Sequence, residues 1–98
     1  MLTFVMLTRL SPDAARTPSS LEDLELAAME RIRSECPEVT WLQNLAVLGS
    51  CDYVDIFQAP DVDTAMRVAV IIRTFGHAST EVMTGTEWGR FKEMVRSL

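Results

Sequence analysis

The apolar positions of this chain change period several times, and each change marks a change of element. Residues 3–9 are rich in strand formers and stop at Ser11-Pro12-Asp13, the turn chemistry that ends a strand. Residues 11–20 hold Pro12, Pro18 and two serines and show no apolar period, which predicts a loop with at most one helical turn around Ala14 and Ala15. Leu21, Leu24, Ala28 and Ile32 then recur at three- and four-residue spacing with Glu22, Glu25, Glu30 and Arg33 between them, the stripe of an amphipathic helix. Ser19-x-x-Glu22 and Ser20-x-x-Asp23 both fit a capping box at its start. Cys36-Pro37 ends it, because the residue before a proline is pushed out of the helical region.

Residues 39–48 are apolar and β-branched or aromatic at their start, halt at Gly49-Ser50-Cys51-Asp52, and are followed by strong alternation over residues 53–58. This predicts a hairpin. Ala59-Pro60 breaks its second strand, and Asp61 or Asp63 can cap a helix running through Phe75 with a stripe of Ala65, Val68, Ala69 and Ile72. Gly76 supplies a left-handed cap, and Met66, Val70 and Ile71 widen the stripe enough for contact beyond the helix's own sheet. Residues 78–84 alternate as a strand, and Thr86 caps a last helix with Trp88, Phe91, Val95 and Leu98 on one face. The order is β-α-β-β-α-β plus a terminal helix, the split βαβ arrangement of an α+β ferredoxin-like sandwich.

Composition narrows the function classes. Ninety-eight residues suit one domain spanning 1–98, and 48% apolar with 23% charged residues suits an ordinary folded core. Fourteen acidic against nine basic residues leave a net charge of −5, which repels phosphate backbones and anionic membranes, so neither nucleic acid nor membrane is an expected partner. The apolar run over residues 2–7 is far below the ~18–20 residues of a membrane span and lacks a basic leader, so the chain reads as cytoplasmic. Cys36 and Cys51 have neither CxxC spacing nor a paired histidine, so free thiols and no zinc site are expected. Gly49, Gly76, Gly85 and Gly89 are scattered and form no phosphate loop. No cofactor and no metal are expected.

Gly49-Ser50-Cys51-Asp52-Tyr53-Val54, then Gln58-Ala59-Pro60-Asp61, Gly76 and Ser79-Thr80-Glu81, resemble the GYD-domain family, whose signature is Gly-x-Tyr-Asp on the central hairpin with Glu-Ala-Pro-Asp after it. The opening Phe4-Val5-x-Leu7-x-Arg9-x-Ser11 is similar to the family's first strand. Cys51 stands where the signature Tyr would be, Gln58 replaces the usual Glu, and His77 follows the glycine. The resemblance implies a dimeric α/β barrel in which two sheets face each other and enclose a cleft. It implies no particular activity, since the wider relatives range from cofactor-independent monooxygenases through haem-handling proteins to regulatory modules.

Both helices on one side of the sheet leave the other side open, and a second copy is the economical cover. With Val54 and Ile56 set against the helices, Tyr53, Asp55 and Phe57 fall on the open face. The same parity puts Ser79, Glu81 and Met83 there, with His77 at the strand mouth. Arg9 ends the first strand and can pair with Asp55 or Glu81 or hold an anion. The expected ligand contacts are therefore Arg9, Tyr53, Asp55, Phe57, His77 and Glu81, around a small, partly apolar metabolite between two subunits. A homodimer is expected, and the apolar second helix leaves room for a higher oligomer. An enzyme of the cofactor-independent monooxygenase or isomerase type, using His77 or Asp55 for proton transfer, is the alternative. A domain that only dimerises or docks on a partner is the third reading. Asp52 reads as a turn-closing residue and Cys51 as an inert thiol.

Overall fold

A computed structural model describes residues 1–75 and 77–98. Strand β1 (Leu2–Leu10) leads through a short helix α1 (Pro12–Ala15) and a 3₁₀ turn (Pro18–Ser20) into helix α2 (Leu21–Glu35). Strands β2 (Thr40–Ala46) and β3 (Tyr53–Ala59) form the hairpin, followed by α3 (Val62–Phe75), β4 (Ala78–Gly85) and α4 (Trp88–Arg96). All four strands pair antiparallel in the order β2-β3-β1-β4. Helix α3 lies on β4, β1 and β3, and α2 packs against α3. No helix among the described residues is long and apolar enough to cross a membrane.

The core gathers where alternation and helical stripe meet. Phe4 and Met6 of β1, Phe57 and Ala59 of β3, Ile32 of α2 and Ala65, Val68 and Ala69 of α3 are almost wholly buried. Phe57 stacks on Phe4 with ring centroids 5.6 Å apart and tilts against Trp41 at 5.2 Å. This aromatic cluster decides which side of β3 faces the helices, because one buried ring contributes more than a β-branched side chain. The expected parity of β3 is therefore reversed. Tyr53, Asp55 and Phe57 stand on the helix side, in register with Thr8, Met6 and Phe4, while Val54 and Ile56 face outward with Leu7 and Val5. In β4 the expected parity holds: Ser79, Glu81 and Met83 pair with Arg9, Leu7 and Val5 on the open face.

The helix starts differ from expectation in two places. Ser20 already has helical backbone angles as the end of the 3₁₀ turn, so it cannot cap α2, and its hydroxyl donates to the Thr17 carbonyl at 2.9 Å. Glu87, not Thr86, caps α4, its carboxylate accepting from the Arg90 amide at 3.2 Å. Asp61 caps α3, taking both the amide and the hydroxyl of Thr64 at 2.7 Å. Those two hydrogen bonds, the hydroxyl's first, hold its carboxyl below the usual carboxylate range. The expected cap at Gly76 lies outside the described residues.

Candidate functional site: a cavity between α2 and the sheet

Toward the β2–β3 turn the helix-facing side of the sheet changes character. The buried positions of β1 run Phe4, Met6, Thr8, and those of β3 run Ala59 and Phe57 before reaching Asp55 and Tyr53. On α2 the stripe is fully buried at Ile32 and Ala28 but only half-buried at Leu24 and Leu21. The first turns of α2 therefore do not close on the polar end of the sheet. A cavity of about 420 Å³ remains, walled by Leu21, Leu24, Ala28 and Met29 from the helix and by Thr8, Asn44, Tyr53 and Asp55 from the strands. That size lies within the usual range of small-molecule sites.

A β-bulge brings Asn44 to this wall. In an uninterrupted strand, positions three apart face opposite sides, yet Trp41 pairs with Phe57 and Asn44 with Asp55 on the same side. The register shift between Trp41 and Gln43 absorbs Leu42 as an extra residue, 53% exposed, and restores the inward aim. The Asn44 amide Nδ2 then donates to Asp55 Oδ1 at 2.7 Å. Burial pushes the Asp55 carboxyl up from its ordinary value, and the Asn44 bond opposes that only in part. The Tyr53 phenol is also pushed up, first by burial and then by the negative charges of Asp52, Asp55 and Glu25.

One atom in the wall is unsatisfied. Thr8 is 3% exposed, and its Oγ1 has no hydrogen-bond partner. A buried hydroxyl in that state costs about 1–3 kcal/mol relative to one that is paired. The Thr8 hydroxyl, the Tyr53 phenol and the Asp55 carboxylate, which has lone pairs to spare beyond its Asn44 bond, thus share the wall of a largely apolar space, with Glu22 and Glu25 at its helix edge.

The other residues expected at a site lie elsewhere. Arg9 does not pair with Asp55, which is on the opposite face; its Nε donates to the Ser50 carbonyl at 2.9 Å and its Nη2 to the same oxygen, pinning the β2–β3 turn. Asp52 serves the same joint, its carboxylate accepting from the Leu10 amide and its own amide donating to the Thr8 carbonyl, both at 2.8 Å. His77 is exposed with φ 51°, a left-handed backbone conformation uncommon for a non-glycine residue, and its carbonyl accepts from the Ser11 amide at 2.9 Å. Glu81 lies exposed on the open face, and Phe57 belongs to the core rather than to the cavity. Cys36 and Cys51 are free thiols; Cys36 is buried at the end of α2, which pushes its ionisation up. Thr8 and Asn44 were not among the expected site residues. Thr8 is visible in retrospect as the polar member of the Phe4-Met6-Thr8 series, whereas Asn44 depends on a bulge that no local pattern announces.

Antiparallel order β2-β3-β1-β4 with α2 and α3 on one face defines an α+β ferredoxin-like domain. The solution NMR structure of a de novo designed protein with ferredoxin fold, LFR1 1, is similar to it at a TM-score of 0.53 and 10% identity, over 90% of this chain and 87% of that one. The chain belongs to the GYD domain family, whose match extends over residues 4–95. None of the curated proteins matches it.

Proposed function

We propose that this GYD domain is a cytoplasmic, homodimeric small-molecule-binding protein whose ligand occupies the cavity between α2 and the sheet. The observation that carries the reading is the partnerless hydroxyl of Thr8, buried in the wall of an apolar space large enough for a ligand. A bound polar group would satisfy that hydroxyl, and the leucines of α2 would cover the rest of the molecule. This moves the expected ligand from the open face to the helix side, with Tyr53 and Asp55 kept as contacts and Thr8 and Asn44 added. The displaced Asp55 carboxyl favours proton-transfer catalysis at the same position as a second reading.

Dimerisation is proposed through the opposite face. There Val5, Leu7, Val54 and Ile56 form an apolar field bordered by Met83 and Glu81. The chain exposes 6716 Å², against about 5,600 Å² for a compact monomer of this mass. The excess is comparable to the roughly 800 Å² that each partner buries in a standard interface. Native mass spectrometry of freshly purified protein tests both parts. The expected spectrum is a dimer carrying a small added mass on each chain, lost in Thr8→Val. A chain without added mass, whose melting temperature no member of a small apolar library raises, sinks the binding reading. A monomer sinks the open-face dimer.

A further inference from the structure

We infer that the cavity selects a hydrophobic molecule with a cationic head group, a protonated amine above all, and rejects the carboxylate of the same skeleton. The inference rests on the binding site proposed above and names the chemistry of its occupant. Every charged side chain on the cavity wall is acidic: Glu22 and Glu25 from the first turns of α2, and Asp55 from β3. Among the described residues, no lysine, arginine or histidine lines it. The nearest arginines are engaged by other partners. Arg9 is on the other face of the sheet, bound to the Ser50 carbonyl. Arg73 of α3 donates its Nε to Thr80 Oγ1 at 3.0 Å, one strand beyond Thr8 on the helix side but outside the cavity lining, and Arg31 pairs with Glu35 at 2.8 Å.

The negative potential has a built focus rather than being a scatter of surface carboxylates. Asp55 is flanked by Met6 in β1 and takes one hydrogen bond, from Asn44, so most of its lone pairs remain for a donor. The partnerless Thr8 hydroxyl is on the same wall, and the phenol of Tyr53, paired in register with Thr8, stands beside it. An ammonium has three donors and no acceptor, which suits a wall that carries a carboxylate, a phenol oxygen and a hydroxyl. A carboxylate would bring a like charge against a half-buried Asp55 with no cation on the cavity wall itself to offset it. Leu21, Leu24 and Met29 supply the apolar wall for its carbon skeleton. Glu22 and Glu25, exposed on the helix, give the approach the same sign.

The test uses three probes that share one skeleton: 3-phenylpropylamine, 3-phenyl-1-propanol and 3-phenylpropanoate, titrated into the ¹⁵N-labelled full chain and followed by amide shifts. The amine is expected to perturb Thr8, Ala28 and Asp55 and to bind about tenfold or more tighter than the alcohol, the usual gain of a charge-assisted hydrogen bond. The carboxylate is expected not to bind. In Asp55→Asn, whose folding the same spectra report, the amine is expected to fall to the affinity of the alcohol. In the wild-type chain its advantage is expected to shrink as pH falls and Asp55 takes up a proton, with Glu22, Glu25 and Tyr53 the other titratable groups facing the cavity. If the carboxylate binds as tightly as the amine, or the amine keeps its advantage in Asp55→Asn, cation selectivity is overturned and the cavity reading stands. If none of the three moves the cavity amides, both are overturned together.

Discussion

Thr8 and Asp55 show what one side chain costs when the fold holds it in place. Each occupies a position whose register would suit a leucine or valine, and each gives up solvation that the protein around it returns only in part. For Asp55 the sign follows from linkage. Its folded carboxyl titrates above the unfolded one, so its contribution is fully present below the ordinary aspartate value near ~3.9 and is lost as pH rises through the raised folded value. Asp55→Asn is therefore expected to melt higher than the wild-type chain at neutral pH and level with it in acid. Urea melts across that pH range check it, and a gap that widens toward acid would contradict the assignment. A stability loss tolerated at neutral pH is the expected mark of a group retained for what it binds.

At the level of elements, the reading of the sequence went furthest where a pattern had one solution. Helical stripes with three- and four-residue spacing fixed α2 and α3, and Cys36-Pro37 and Pro60 fixed their neighbours. It went wrong in β3, where Val54 and Ile56 on one side and Tyr53 and Phe57 on the other are both apolar enough to face a core, so alternation alone could not orient the strand. Only the long-range meeting of Phe57 with Phe4 and Trp41 breaks the tie. The candidate site was half legible for the same reason: Tyr53 and Asp55 were singled out, on the wrong face, and Asn44 was hidden by the bulge. That bulge makes a checkable statement. Removing Leu42 leaves Trp41, Gln43 and Asn44 alternating regularly with unchanged inward and outward aims. The deletion is expected to fold, with the Asn44 side-chain amide resonances shifting by little; a collapsed amide spectrum would show that Leu42 is part of the strand's packing.

The whole molecule is a two-layer sandwich with unfinished business on its outside. Helix α4 has no buried residue, and Trp88 is 66% exposed although it stacks on Phe91 at 5.4 Å. Together with the apolar open face, it is surface of the kind that a second copy covers. If the proposed dimer forms through this face, Ile56→Asp is expected to leave a monomer in sedimentation experiments without weakening binding at the proposed cavity on the other side. A dimer that survives the change would remove β3 from the interface. On the proposed reading, one backbone strand carries two unrelated kinds of information in alternate positions. A random library confined to β3 should sort itself by parity: clones selected for lost association would carry changes at residues 54 and 56, those selected for lost ligand at 53 and 55, so the two traits can drift apart by single substitutions.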